Sequence, residues 1–461
     1  MRARVLGVVL GAVFLMSVSA GGQGAAGQGA AGQGAPGQGA AGQTLGPDGQ
    51  PATPISPAIA AQNTPDPVIK GLVGRLDLEK YKATIKGLTE FGDRRQGTQR
   101  NRDAVDWIEA QLKSYGYTNT ERVTYDPPVS RSARGCGPSV PPVPPDPNAP
   151  PRAGGAGRGR GNTGGFPTGS GGSRLYGNRG RTGVNCDPML QPDEKIRALD
   201  SQPVVPGPVS EVFCTKIGTV HPEQVYILGG HMDGHGYNQA ANDDGSGTAL
   251  VMELARVLGS PDVTTDVSIR FALWNGEEGG LNGAHAYVNQ RKDLQGKENP
   301  PGSGKYPEPK WLGMIQHDMM MWDHGMPLAD GTSPKEQRPE ADVNIEFQNT
   351  SAKAAEAMIL AWAFHSANQK YATDYPANVG PHMTNTDSEP FQDLVPAISL
   401  RENERGRDIG AGWDPNWHQA SDVFTTYSDK DFRLGLNAAQ TTLAAIAQLA
   451  GARVKQGLMG Q

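Results

Sequence analysis

The 461-residue chain predicts an α/β protein, a three-layer sandwich in which a mostly parallel mixed sheet is flanked by helices. Three observations carry that expectation. Short apolar runs of strand length alternate with segments of helical period in the second half of the chain, and such alternation builds parallel sheets. The residues suited to chemistry fall just past the carboxyl ends of those runs, where open α/β sheets assemble their sites. The composition leaves room for one such domain. Gly 62 and Pro 37 together make about a fifth of the chain, against a usual ~12%, and they concentrate in two stretches without periodicity. About 330 to 350 residues remain for a single large core.

In chain order, Arg2 and Arg4 precede an apolar run from Val5 to Met16 and the small residues Val18, Ser19 and Ala20. That is the layout of a secretory signal peptide over 1–20. A run of ~12 apolar residues falls short of the ~20 that span a bilayer, and no Cys follows it to carry a lipid. The expected location is secreted or periplasmic, without stable membrane insertion. Residues 21–62 read as a low-complexity linker, in which a Gly-Gln-Gly-Ala-Ala unit repeats to about Gln43 and buries nothing. Its match to a glycine-rich nucleotide fingerprint has no strand before it and no helix after it.

The remaining domain, 63–461, is interrupted at about 127–200 by an insertion dense in Pro, Gly and Arg, including Arg152, Arg158, Arg160 and Arg174. A polyanion contact is one reading of those arginines. A solvated loop is the preferred one, since an exported protein rarely meets RNA, and no nucleic-acid partner is expected. Cys136 and Cys186 near its two ends would close it with a disulfide in an oxidising compartment, leaving Cys214 over.

Within the domain, Pro67 to Tyr125 reads as mostly helical. Val105, Ile108 and Leu112 share a face between Asp103 and Tyr115, and Gly116 follows as a stop. Val225 to Leu228 is a buried-strand run, Ser246 to Leu258 a helix stopped by Gly259, and Val267 to Trp274 a strand. Leu312 to Asp318 and Val395 to Leu400 are further strands, and Ala352 to Ser366 is a helix. Ser428 with Asp431 forms a capping box before a closing helix to about Leu449.

Composition excludes several classes. Lys+Arg 42 against Asp+Glu 48 gives a net charge of −6, which is no nucleic-acid footprint. A hydrophobic content of 36% and a mean hydropathy of −0.50 exclude a polytopic membrane protein. Three cysteines are too few for a disulfide-built scaffold or a four-cysteine zinc module. Neither a His-Glu-x-x-His helix nor a Gly-x-Ser-x-Gly elbow occurs.

Past the predicted strand ends lie Gly229-Gly230-His231-Met232-Asp233, Asn242-Asp243-Asp244-Gly245-Ser246-Gly247, Asn275-Gly276-Glu277-Glu278-Gly279-Gly280, Asp318 and Trp417-His418. Imidazoles and carboxylates suit borderline divalent metals. A pair of such ions ~3.5 to 4 Å apart needs a shared carboxylate.

In this combination and order the motifs resemble peptidase family M28, the co-catalytic zinc peptidases that include secreted aminopeptidases and glutamate carboxypeptidases, over about Pro67 to Leu449. The resemblance implies the zinc exopeptidase, phosphorylase/hydrolase-like fold and two Zn2+ per chain, with Co2+ or Mn2+ as substitutes. It implies that His231 and Asp318 bind one ion, that Glu278 and His418 bind the other, and that Asp243 bridges them. Asp233 would fix the tautomer of His231. Glu277 would act as general base on a water between the ions and pass the proton to the leaving amine.

The implied function is an exported exopeptidase acting on peptides, first an aminopeptidase, alternatively a carboxypeptidase of the glutamate carboxypeptidase type. A glutaminyl cyclase-like transferase and a non-catalytic binding protein are remoter. His231 and Asp318 supply a second metal position, and the complete ligand set with its base speaks against lost catalysis. The late loop departs from the family pattern at Thr386-Asp387-Ser388, where many members carry a His at the position of Ser388, and this bears on substrate preference. His235 reads as a loop residue rather than a ligand, and His317 should face away from Asp318. His324 and His382 are loop candidates for substrate contact. Met319 to Trp322 would line an apolar pocket or pack in the core, and the charged run Arg401 to Arg405 should lie near the site.

Overall fold

The computed structural model describes residues 64–127, 184–322, 343–381, 386–402 and 414–455. The expected signal peptide, the linker, most of the insertion, Cys136, His324, His382 and residues 403–405 lie outside the described residues.

Eight strands form one sheet: β1 (Glu121–Tyr125), β2 (Val209–Lys216), β3 (His221–His231), β5 (Val267–Trp274), β6 (Lys310–His317), β7 (Val343–Phe347), β8 (Ala377–Gly380) and β9 (Ala397–Arg401). A short β4 (Val263–Thr264) pairs separately with β10 (Arg453–Val454). The sheet order is β1-β2-β5-β3-β6-β9-β7-β8. Its centre is parallel, with β3 between β5 and β6 and β9 beside β6. The β1/β2, β2/β5 and β7/β9 pairs are antiparallel. The chain leaves β3 for β5 on one side and then crosses back to β6 on the other. The carboxyl end of β3 is therefore the topological switch point, where such sheets open a crevice.

The helices are α1 (Pro67–Val73), α2 (Leu78–Thr89), α3 (Gln99–Ser114), α4 (Glu194–Asp200), α5 (Gly245–Leu258), α6 (Asn282–Arg291), α7 (Ala354–Tyr371) and α8 (Asp429–Leu449). The alternation of β5 shows why two layers of helix are needed. Ile269, Phe271 and Leu273 enter the core shared with α1, α2, α3, α5, α7 and α8. Ala272 and Trp274 enter a second core with Ala284, Tyr287 and Val288 of α6. A strand buried on both faces in this way must be covered twice. The second core also encloses Arg270, whose guanidinium pairs with Glu308 at 2.6 Å and stacks over Phe213 at 4.4 Å. The Ser428–Asp431 capping box opens α8 as expected, and Gly259 caps α5.

The segment to Tyr125 is mostly helical, as expected, and its end pairs with β2 as β1. One expectation is corrected. The insertion is shorter than 127–200, since residues 184–200 fold onto the domain. Asp193 caps α4 by accepting from Lys195 N and Ile196 N, and Ile196, Gln191 and Asp200 are buried. Cys186 is in a disulfide and Cys214 is free and buried. Of the two readings of Met319 to Trp322, packing holds for Met320, Met321 and Trp322, which lie in the main core.

Candidate metal centre

The site forms where four strand ends and two loops meet over β3. Glycine is required where β3 meets α5: a Cβ on Gly230 would lie 2.7 Å from the Gly247 carbonyl carbon, and one on Gly247 would lie 2.3 Å from His317 O. The close approach brings the start of α5 against the ends of β3 and β6. There the Asp244 carboxylate caps α5 through Gly247 N at 2.7 Å, and also accepts from His231 N at 3.0 Å and Met319 N at 3.2 Å. One buried side chain thus ties together the backbone beside His231, Asp243 and Asp318.

The loop between His231 and Asp243 is held from below by Arg94, which is fully buried. It donates to Met232 O at 2.6 Å, Gln239 O at 2.8 Å and Ala240 O at 2.8 Å. From above, Asp422 accepts from Asn242 N at 2.9 Å and Asp243 N at 3.2 Å. Burial pushes Asp422 up to about 7. Left-handed backbone recurs around the site at Arg94, Tyr237, Ala240, Met319 and His418, which is where strained conformations concentrate in functional sites.

These supports converge on Asp243. Its Oδ1 lies 3.3 Å from His231 Nε2 and its Oδ2 lies 3.0 Å from His418 Nε2. His231 Nε2 is also 3.7 Å from Asp318 Oδ1, and His418 Nε2 is 3.0 Å from Glu278 Oε2. One carboxylate therefore stands between two imidazole–carboxylate groups. His231, Glu277 and Asp318 present donor atoms within 4.8 Å of one another, as do His235, Glu278 and His418. His231, Asp243, Glu277, Glu278, Asp318 and His418 meet here.

The electrostatics are those of a cation site. Burial works against charge on His231, but Glu277, Asp244, Asp243 and Asp318 lift it well above the ordinary imidazole value. Burial likewise opposes charge on His418, which Glu278 and Asp243 raise to about 10. Against the upward push of burial, His231 and His418 hold Asp243 below the usual carboxylate range, and His235 and His418 lower Glu278 to about 2. Burial, aided by Glu278 and Asp387, pushes Glu277 well up despite His231. Neutral imidazoles and carboxylates in this arrangement are the donor set of a zinc-type divalent cation. The buried Oε1 of Glu278, which makes no hydrogen bond, is consistent with such a ligand.

Asp233 is placed differently from the expectation. Its carboxylate is 4.0 Å from His231 Nδ1, and its backbone carbonyl is the partner at 2.9 Å. The tautomer of His231 is thus set by the main chain. The Asp233 carboxylate instead accepts from Gly276 N at 2.7 Å and Glu277 N at 3.1 Å, so it positions the turn bearing the two glutamates. His317 faces away from the site, between Gly229 O at 3.0 Å and Thr442 Oγ1 at 2.8 Å. Ser388 hydrogen-bonds Ser399 at 2.8 Å.

The model of peptidase family M28 matches residues 213–439. Over that span the chain is similar to peptidase family M28, and the span holds His231, Asp243, Glu277, Glu278, Asp318 and His418. Aminopeptidase YwaD of Bacillus subtilis (strain 168) is 40% identical over 79 residues, 17% of this chain and 17% of that protein. Carboxypeptidase Q of Xenopus laevis is 36% identical over 76 residues, 16% of each. These matches thus cover only 16–17% of the relatives' own length. Among solved structures, the aminopeptidase from Aneurinibacillus sp. strain AM-1 superposes with a TM-score of 0.50 at 17% identity, covering 85% of this chain and 98% of that one. BSAP, a zinc aminopeptidase from Bacillus subtilis, gives a TM-score of 0.51 at 15% identity, covering 84% and 97%. At such identities the likeness establishes the three-layer α/β fold.

Sequence reading gave no role to several residues that shape this site. Arg401 Nη2 donates to Asp318 Oδ2 at 2.6 Å, a contact across 83 residues foreshadowed only by the charged run that contains it. Asp244 was visible as half of an Asp-Asp pair, but its triple acceptor role needs the sheet. Arg94 lies far from every motif, and Asp422 follows Trp417-His418 by four positions without belonging to it. His235, read as a loop residue, stands inside the cluster.

Proposed function

We propose that this chain is an exported, dinuclear zinc exopeptidase that removes amino-terminal residues from peptides. The observation that carries the reading is Asp243, whose two oxygens face the imidazoles of two separate donor groups. His231, Asp318 and Asp243 would hold one ion, and Glu278, His418 and Asp243 the other. When bound, such a pair of cations polarises a scissile carbonyl and acidifies water between them.

The chain's own residues do the rest. The Glu277 carboxylate takes the proton of the attacking water and returns it to the leaving amine. Its burial and carboxylate neighbours raise its proton affinity, which suits a base that must hold a proton between those two events. Asp233 fixes the Glu277 backbone. Asp387, a buried carboxylate beyond the ligand set whose charge acts on Glu277, would favour a substrate ammonium. Export rests on Arg2, Arg4, the Val5 to Met16 run and the small residues before Gly21, and intact mass of the mature protein should begin at Gly21.

A carboxypeptidase reading draws on one observation, the Arg401 Nε, which is buried without a hydrogen-bond partner and suits an α-carboxylate. Digestion of peptides with free and blocked ends, with and without a chelator and read by mass spectrometry, separates the two. Stepwise loss from free amino ends, spared by acetylation and abolished by the chelator, is the expected result. Loss from carboxyl ends overturns the aminopeptidase assignment, and no trimming by zinc-loaded protein overturns the exopeptidase.

A further inference from the structure

The loop that leaves β3 carries a third imidazole into the cluster. His235 Nε2 lies 3.1 Å from Glu278 Oε2, and the His235 ring meets the His418 ring edge to face, with centroids 4.1 Å apart and planes at 83°. Its Nε2 is buried and makes no hydrogen bond, so the nitrogen sits beside the Glu278 oxygen without the alignment that a hydrogen bond requires. With the donor atoms of His235, Glu278 and His418 all within 4.8 Å of one another, the three are close enough to serve one ion.

The spacing fits one ion. Donors bound at about 2.0 to 2.1 Å around a tetrahedral centre lie about 3.3 Å from one another. The donor pairs here are 3.1 Å for His235–Glu278, 3.0 Å for His418–Glu278 and 3.0 Å for His418–Asp243. The His235 loop is also fixed in place. Asn238 Nδ2 bridges His235 O at 3.0 Å and Gln419 O at 2.9 Å, and Asn185 Nδ2 donates to Gly236 O at 2.9 Å. A Cβ on Gly236 would come within 2.5 Å of His418 O, so only glycine lets the two loops approach this closely.

We infer that His235 is a protein ligand of the ion held by Glu278 and His418, an assignment that rests on the dinuclear reading above. That ion then has four protein donors, His235, His418, Glu278 and Asp243, and the ion held by His231, Asp318 and Asp243 has three. The ion of the loop half should bind the tighter of the two, and a water shared with its neighbour would make it five-coordinate.

The test is zinc titration by calorimetry of the chelator-stripped full chain and its H235N variant, with circular dichroism to establish the fold. It is joined by zinc X-ray absorption on the wild type loaded with two ions. H235N should lose about tenfold or more in affinity for one ion and keep the other, and absorption should show three imidazoles shared by two zincs. Wild-type affinity for both ions in folded H235N, or only one imidazole per zinc, overturns the inference. If H235N does not fold, the wild-type absorption decides alone. A wild type that binds fewer than two ions fails the dinuclear reading itself, and the role of His235 falls with it.

Discussion

On one side of Asp243, the donors stand on regular backbone. His231 ends β3, and Asp318 follows β6 directly, on the strand paired beside it. On the other side, Glu278, His418 and His235 stand on loops, and those of His235 and His418 are joined by Asn185, Asn238 and Asp422. The strand-end half also carries a fixed counter-charge, since Arg401 holds Asp318 at 2.6 Å. Among the described residues, the cationic groups that pair with Glu278 are the imidazoles of His418 and His235, and the charge of an imidazole depends on pH. A sheet can position donors through its ladder and a permanent cation, whereas loops must do so with cross-links and groups that titrate.

The largest effect should come from Asp243→Asn, which takes from both halves the carboxylate that they share. Both ions should be lost by metal analysis, and activity with them. Retention of one tight ion would show that the halves are independent. Glu277→Gln should lower turnover by about 10²- to 10⁴-fold while metal content stays at the wild-type level, and a fully active variant would refute Glu277 as the base.

Arg401→Met separates the halves more directly. It leaves Asp318, 3% exposed, without its cation, and the metal-free variant should lose about 3 to 5 kcal/mol of stability in denaturant titrations. Zinc should restore most of that loss, because the ion replaces the missing charge. If zinc leaves the deficit unchanged, Asp318 does not face the metal.

The loop half should show itself through pH. The pKa of His418 is raised to about 10 in the fold, from an ordinary ~6.5. Its contribution to stability is therefore complete below about 6.5 and disappears as pH rises through about 10. Metal-free protein should lose thermal stability across that window more steeply than zinc-loaded protein, in which His418 is committed to the ion. Equal slopes would place His418 outside the metal shell. The smallest change is Thr442→Val, which removes the hydroxyl behind His317 and should cost about 1 kcal/mol, read as a shift in denaturation midpoint with little change in turnover.

How far these features were legible in the chain follows from their range. β5 was predicted at its observed bounds because, Ser268 and Arg270 apart, it is apolar on both faces, as a strand covered twice must be. The ends of α5 and α8 were legible because caps are local. β1 was missed because a five-residue edge strand with alternating exposure carries little signal beside the helices before it. α6 was missed because it begins after Leu281 in a left-handed conformation, without a side-chain cap.

The metal-facing residues were legible because their motifs stand at strand ends in a fixed order. Their supports were not. The Asp233 carbonyl does what its carboxylate was expected to do, and main-chain geometry is invisible to a motif. His235 was set aside because i+4 spacing means nothing in a loop, and its neighbour in space, His418, is 183 positions away in sequence.

The centre is stitched from both ends of the domain. Asn185 and Gln191 bind the backbone of the Gly236–Tyr237 and His418–Ala420 loops, and α8 follows His418 to close the main core. Synthesis runs in one direction, so Arg94, His231 and Glu278 exist well before their last partner emerges. An elongating chain carries an unfinished centre until the segment after residue 414 has joined the fold. The donor set is therefore completed in one late step, when His418 reaches Asp243 and Glu278.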